Sequence, residues 1–137
     1  MNVEATRKGK TLLVTVHESR IDAAVAVTFK EAMRDATTGH AGRIVLDMSE
    51  VGFLDSSGLG AVVGAMKQVD EGAKLELAGL SRTVAKVFHL TRMDTVFTIH
   101  SSAEAALASL GFEGGAGAAL AETDAAAFEL LLPLASA

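Results

Sequence analysis

The chain has 137 residues, half of them hydrophobic and only one of them proline, so it is long enough for one domain with a real core and too apolar to remain disordered. It contains no cysteine, which excludes a disulfide framework, a thiol nucleophile and a thiolate metal site. The formal charge of −5 gives no basic footprint for nucleic acid.

The charge is unevenly distributed along the chain. All 12 basic residues lie at or before Arg92, whereas four acidic residues follow Gly111. Residues 1–110 are therefore nearly neutral, and the C-terminal tail that follows them is acidic. No uncharged apolar run approaches the ~18 residues of a membrane helix, and residues 1–8 contain no apolar stretch that would serve as a signal peptide. We therefore expect a cytoplasmic protein that makes no membrane contact.

The first third of the chain predicts a hairpin, a helix and a buried strand. Residues 3–6 and 11–16 are strand-like runs on either side of Gly9 and Lys10. Asp22 is a candidate cap for a helix with apolar residues at three- and four-residue spacing, namely Val25, Phe29, Ala32, Met33 and Ala36. Residues 44–46 form a continuous apolar run, as expected for a central strand covered on both faces.

The remaining two thirds predict helices that alternate with short strands. A second helix follows Leu54 and ends at residues 71–72, with an apolar face of Leu59, Val62, Val63, Met66 and Val69. A strand at 75–78 precedes a third helix, which begins near Ser81 and buries Val84, Val87 and Phe88. A strand at 96–99 leads to a capping box at 101–104, which opens a fourth helix through Leu110. This alternation predicts a largely parallel sheet with crossover helices, and the hairpin makes the sheet mixed.

The C-terminal segment, 111–137, differs from the rest in composition. Residues 111–117 include four glycines and are typical of a linker. A short helix before Pro133 would place apolar residues on one face, namely Leu120, Ala127, Phe128, Leu131 and Leu132. We expect a domain at 1–110 and an extension that packs either on that domain or against a second copy, as in a homodimer.

Residues 51–60 are the most informative segment. Asp55, Ser56, Ser57 and Gly58 stand at a strand-to-helix junction, where the first helical N–H groups lack partners and the helix dipole favours an anion. A capping role for Asp55 or Ser56 would explain one polar residue. Three polar residues followed by glycines exceed that requirement, because each glycine in a helix costs about 1 kcal/mol. This pattern indicates that another molecule approaches the junction.

The nature of that molecule is open on the residues alone. Gly58, Gly60 and Gly64 are spaced one residue too widely for a dinucleotide-binding fingerprint. We expect Gly60 and Gly64 to let the helix pack closely on the sheet. The four histidines have no ligand-like spacing, so neither a cofactor nor a metal ion is expected.

A serine hydrolase is a remote alternative. Ser56 stands at the centre of a partial nucleophile-elbow pattern, but Leu54 occupies a position where a sharp elbow needs glycine. Asp94 and His100 follow in hydrolase order, which by itself does not establish a triad.

The octapeptide 53–60 resembles the signature of STAS-domain anti-sigma factor antagonists. The similarity extends over about residues 1–110 and includes 20–22 before the first helix and the helix–loop–strand pattern of 84–99. Ser19 occupies a position that is often glycine in that family, and the tail has no counterpart in it. The resemblance implies an α/β fold of STAS type, a mixed β-sheet flanked by helices, here with a C-terminal helical extension.

The resemblance also implies a phosphorylation switch without enzymatic activity of its own. By this resemblance Ser56 is phosphorylated by a partner that is both a serine kinase and an anti-sigma factor, and Asp22, Asp55, Ser57 and Gly58 lie in or beside the docking surface. The unphosphorylated protein would bind the anti-sigma factor and release a sigma factor, and a phosphatase would restore this form. The alternative within the wider family is a stressosome scaffold or a transport accessory domain, in which Ser56 only caps its helix.

Overall fold

The computed structural model describes residues 1–109, so the predicted linker and helix of 111–137 lie outside the described residues. The strands are β1 (Val3–Lys8), β2 (Thr11–Val16), β3 (Arg20–Ile21), β4 (Arg43–Asp47), β5 (Phe53–Leu54), β6 (Lys74–Ala78) and β7 (Ile99–His100). The helices are α1 (Ala26–Thr37), α2 (Ser56–Gln68), α3 (Arg82–Leu90) and α4 (Ala103–Ala108), and a 3₁₀ turn spans Met93–Thr95. No helix within residues 1–109 is both long and apolar enough to cross a bilayer.

Five strands form the main sheet in the order β1-β2-β4-β6-β7. Strand β1 pairs with β2 in antiparallel fashion across a turn in which Gly9 has a φ of +63°, a value that glycine adopts without strain. The other neighbouring strands pair in parallel. The predicted mixed sheet, including its N-terminal hairpin, is therefore confirmed.

One face of this sheet carries the large core. The chain moves in a constant direction from β2 through β4 and β6 to β7, so right-handed crossovers place α1, α2 and α3 on the same face. Alternate strand residues meet these helices, and the cluster includes Val14, Ile44, Leu46 and Leu77 from the strands and Phe29, Met33, Val62, Val63, Val84 and Phe88 from the helices. The predicted continuous apolar run at 44–46 is fully buried, as a central strand requires.

The opposite face carries α4. Val45, Ala78 and Ala106 form a second buried cluster there, with Leu13 packed against it. The two faces are distinct because successive side chains of a strand point to opposite sides.

Three predicted element boundaries are wrong. Helix α1 begins at Ala26 and its N-cap, Val25, makes no side-chain cap bond, so Asp22 does not cap it. The Asp22 carboxylate instead accepts a hydrogen bond from the Ala24 N–H at 3.1 Å in the preceding turn. In α4 the cap is Ser102, which accepts from the Ala105 N–H, so 101–104 is not a capping box.

The third error concerns the last strand. It spans Ile99–His100 rather than 96–99, because Val96 closes the 3₁₀ turn and Phe97 turns into the core. There the Phe97 ring meets Phe88 edge to face, with 5.9 Å between ring centroids.

A buried ion pair lies beneath α4. The Arg43 guanidinium contacts Glu76 Oε1 through Nε at 2.9 Å and Nη2 at 2.8 Å, and both side chains are under 10% exposed. His100 Nε2 lies 2.7 Å from the same oxygen, and Arg43 Nη2 donates to the Ser109 hydroxyl just after α4. Burial opposes ionisation of Glu76, but the hydrogen bonds from Arg43 and His100 prevail and lower its pKa. Because the pKa is lowered in the folded state, this carboxylate stabilises the fold above its unfolded pKa and the contribution is lost as the pH falls through the folded value.

We expect Glu76→Gln to lower the free energy of unfolding at neutral pH by about 3 kcal/mol or more, because it removes the charged carboxylate that two nitrogens of the buried Arg43 guanidinium contact. The loss relative to wild type should shrink as the pH falls, since Glu76 itself becomes protonated there. Urea unfolding at several pH values measures both effects. Glu71→Gln, which removes an exposed carboxylate, is the matched control. Equal stability of the two variants at neutral pH would contradict the role assigned to this pair.

Candidate functional site

A separate two-stranded sheet presents the segment singled out in the sequence. Strands β3 and β5 pair in parallel, with Arg20 opposite Phe53 and Ile21 opposite Leu54. The Gly52 N–H donates to the Ser19 carbonyl at 2.8 Å and so fixes the approach to β5. The residues that precede helix α2 are therefore held beside those that precede α1.

His17 holds the loop that leads into this small sheet. Its Nδ1 lies 2.7 Å from Glu50 and its Nε2 lies 2.8 Å from Glu4 on β1. The hydrogen bonds that the His17 ring donates to the Glu4 and Glu50 carboxylates raise the pKa of His17. The imidazolium form therefore bridges the hairpin and the loop before β5, and this contribution to stability is lost as the pH rises through the raised pKa.

Asp55 joins the two strand ends through both of its carboxylate oxygens. It is the N-cap of α2, with extended backbone angles, and its Oδ1 accepts from the Gly58 N–H at 2.8 Å. Its Oδ2 accepts from the Ala23 N–H at 3.2 Å, in the turn before α1. One carboxylate thus starts α2 and holds the 20–24 segment against it.

Asp22 is engaged within the same segment. Its Oδ1 accepts from the Ala24 N–H, and its Oδ2 accepts from Arg20 Nε at 3.0 Å. The structure therefore brings Asp22 and Asp55 to one site, but both carboxylates already accept hydrogen bonds from this chain there.

Ser56 and Ser57 are the first two residues of α2, and both are exposed. No hydrogen bond within residues 1–109 involves either hydroxyl. The sequence left the cap as either Asp55 or Ser56, and the structure assigns it to Asp55. The hydroxyl of Ser56 is consequently accessible at a helix N-terminus.

Gly58 is required by the packing of α2 on β3. A Cβ at this position would lie 1.9 Å from the Ile21 carbonyl oxygen, which is backbone and cannot rotate away. Gly64 is in a different situation, because a Cβ there would meet the Lys30 side chain of α1 at 3.0 Å. Gly64 thus faces the neighbouring helix α1 and not the sheet, so the prediction that it packs on the sheet is wrong.

Sequence reasoning missed a contact between Arg20 and Phe53. The Arg20 guanidinium carbon lies 4.7 Å from the centroid of the Phe53 ring, and Phe53 is 41% exposed. This contact depends on the pairing of two two-residue strands that are 33 residues apart. The residues themselves carry no signal for so short a pairing.

The remote hydrolase alternative finds no support in the geometry. His100 pairs with Glu76, Asp94 pairs with His89 at 2.9 Å, and no hydrogen bond within residues 1–109 joins Ser56 to a histidine. A cleft of about 520 Å³ at the carboxyl ends of β6 and β7 is lined by Leu80, Ala85, His89, Asp94, Ile99, His100 and Ser101, and not by Ser56. The described part of the chain also contains no cluster of three acidic or histidine side chains suited to a metal ion.

Comparison with known proteins agrees with this architecture. A family model described as the STAS domain matches residues 2–106, which include the whole of the site. The chain belongs to the STAS domain family.

Relatives of this STAS domain include the anti-sigma-B factor antagonist of Listeria monocytogenes, which is 34% identical over 80 residues, covering 58% of this chain and 70% of the relative. An anti-sigma factor antagonist from Mycobacterium paratuberculosis has a similar structure, with a TM-score of 0.70, 20% identity and coverage of 79% of this chain and 92% of the other. The Bacillus cell fate determinant SpoIIAA in its phosphorylated form also matches, with a TM-score of 0.57, 20% identity and coverage of 80% and 99%. At these identities the two structures support the fold of the STAS domain.

We expect opposite outcomes for two glycine substitutions within α2 of this STAS domain. Gly58→Ala should destabilise the fold by about 3 kcal/mol or more, because the added methyl group overlaps the Ile21 carbonyl and forces backbone to move. Gly64→Ala should change stability by about 1 kcal/mol or less, since the gain in helix propensity offsets a small shift of the Lys30 side chain. Thermal or urea unfolding of both variants measures the difference. A Gly58→Ala variant as stable as Gly64→Ala would contradict the close contact with β3.

Proposed function

We propose that this protein is a phosphorylation-switched anti-sigma factor antagonist. When Ser56 is unphosphorylated, it binds an anti-sigma factor that is also a serine kinase, and a sigma factor is released. Phosphorylation of Ser56 ends that binding, and a separate phosphatase restores it. The protein performs no catalysis of its own in this scheme, uses no cofactor and acts in the cytoplasm.

The observation that carries the proposal is the exposed, unbonded hydroxyl of Ser56 at the first position of α2. A serine that capped its helix would hold its hydroxyl against backbone N–H groups, away from a kinase. Here Asp55 supplies the cap, and the Ser56 hydroxyl makes no hydrogen bond to any other group of residues 1–109. Similarity to the antagonist of Listeria monocytogenes supports the choice of partner class.

A phosphate on Ser56 is compatible with the fold. It would lie at the N-terminus of a 13-residue helix, where the dipole and the first N–H groups favour an anion. Its effect must therefore fall on the interface with a partner. A charge of about −1.5 to −2 would have to be desolvated there beside Asp55, which is unfavourable for binding.

The neighbours of Ser56 divide into two roles under this proposal. Ser57 is exposed beside it and contacts the partner directly. Asp55 and Gly58 shape the docking surface by holding the 20–24 segment against α2, since Asp55 bonds to Ala23 and Gly58 is buried. Asp22 orders that segment through its bonds with Arg20 and Ala24.

We expect a serine-kinase anti-sigma factor from the source genome to transfer phosphate from ATP to Ser56 and not to Ser57. Intact-mass measurement followed by peptide fragmentation locates the phosphate. Ser56→Ala should abolish the modification, while Ser57→Ala, the matched control one residue away, should retain it.

Phosphate found mainly on Ser57 would overturn the assignment of the acceptor. A failure of every candidate kinase in the genome to modify the protein would favour the alternative function, a non-switching scaffold or transport accessory domain.

Ser56→Asp should weaken binding to the same kinase by tens- to thousands-fold, because an unpaired charge at a desolvated contact costs about 2–5 kcal/mol. The melting temperature should change by less than about 4 °C, since an acid in the first turn suits the helix dipole. Calorimetric titration with a non-hydrolysable ATP analogue present measures the affinity, and Ser56→Ala controls for loss of the hydroxyl. Equal affinities of the Asp and Ala variants would place Ser56 outside the interface.

A further inference from the structure

We propose that Arg20, stacked on Phe53, is a second point of contact with the anti-sigma factor and binds a carboxylate on it. This inference rests on the proposed function, because it names the partner surface that meets the small β3–β5 sheet. Arg20 and Phe53 are the first residues of β3 and β5 and lie opposite each other in the parallel pair. The same two strands lead to Asp22 and to Ser56.

The hydrogen-bonding capacity around Ser56 points to an acidic ligand. All four oxygens of Asp22 and Asp55 already accept a hydrogen bond from this chain. Arg20 is the reverse case, because only its Nε is used and no hydrogen bond within residues 1–109 involves its two terminal nitrogens. These nitrogens form a planar fork that matches a carboxylate.

Contacts within the chain hold the guanidinium in place before binding. The Asp22 carboxylate fixes its Nε at 3.0 Å, and the Phe53 ring supports the guanidinium at 4.7 Å. The Arg20 side chain is nevertheless 60% exposed. A charged group that is oriented and still solvent-accessible loses little conformational entropy when a ligand binds.

Phe53 adds an apolar element to the same surface. It is one of three large hydrophobic side chains in residues 1–109 that are substantially exposed, and one of its faces is already covered by Arg20. Arginine and aromatic side chains dominate the energy of protein interfaces. The partner surface that fits this pair therefore carries an Asp or Glu beside an apolar side chain, close to the point where it meets Ser56.

The test uses the kinase that phosphorylates Ser56, with Ser56→Ala as the parent so that no phosphate is transferred during the titration. In this background Arg20→Glu should weaken binding by about 30-fold or more, and Arg20→Gln and Phe53→Ala by about 10-fold each. Arg7→Glu makes the same charge change at an exposed position on β1, outside the β3–β5 sheet, and should stay within about threefold of the parent. Melting temperatures of all variants establish that they are folded, and Arg20→Gln covers the case in which Arg20→Glu is unstable.

Salt separates a carboxylate contact from a purely apolar one. The difference between parent and Arg20→Gln should shrink as the ionic strength rises from about 0.05 M to about 0.5 M, because screening weakens an exposed ion pair. Binding by folded Arg20→Glu or Arg20→Gln within threefold of the parent would overturn the inference while leaving phosphorylation of Ser56 intact. Tighter binding of Arg20→Glu would also overturn it, since the partner would then be basic at this point. If no kinase binds the parent, the proposed function fails and the inference fails with it.

Discussion

The carboxylate of Asp55 is the interaction on which the site depends. It accepts a hydrogen bond from one backbone N–H at the start of α2 and from another in the turn before α1. These two segments are more than 30 residues apart in the sequence. Charge-assisted bonds of this kind contribute about 1.5–3 kcal/mol each, which is enough to hold strands of only two residues together. The carboxylate can serve both segments only because α2 lies directly against β3. That approach is possible because residue 58 has no side chain.

This arrangement separates the groups that build the site from those that remain available to other molecules. Contacts within the chain engage Asp22, Asp55 and Gly58. The groups that remain exposed are Ser56, Ser57, Phe53 and the terminal nitrogens of Arg20. A polar residue at a helix start is often taken as either a cap or a functional group. Here Asp55 caps the helix, so the hydroxyl of the adjacent Ser56 remains unbonded and accessible.

Much of the fold could be predicted from local patterns, because hydrophobic periodicity decides which face of an element is buried. The hairpin, the buried strand around residue 45 and the helix that follows Leu54 all have strong patterns, and all are present. The errors fall where non-local contacts compete with local signals. Val96 and Phe97 have strand-forming side chains, but packing of Phe97 on Phe88 draws the segment into a turn.

Part of the geometry of the candidate site also follows from local sequence. Asp55 and Ser56 are adjacent, so the sequence could place both at the start of α2, where the structure has them. Asp22 was placed at the site only by family resemblance, and its expected cap on α1 is wrong because the helix starts four residues later. Neither the link from Asp55 to Ala23 nor the stacking of Arg20 on Phe53 could be predicted, since each joins residues more than 30 positions apart.

The topology also keeps the buried ion pair apart from the candidate site. The three crossover helices cover one face, and the buried pair of Arg43 and Glu76 lies on the other, beneath α4. Ile21 and Leu54 of the small β3–β5 sheet belong to the large core, but Ser56 is exposed, so a charge added there enters neither that core nor the buried ion pair. Its favourable interaction with the dipole of α2 is confined to the first turn. A phosphate on Ser56 can therefore change the proposed docking surface while the rest of the domain remains folded as before, which is the physical requirement for the proposed switch.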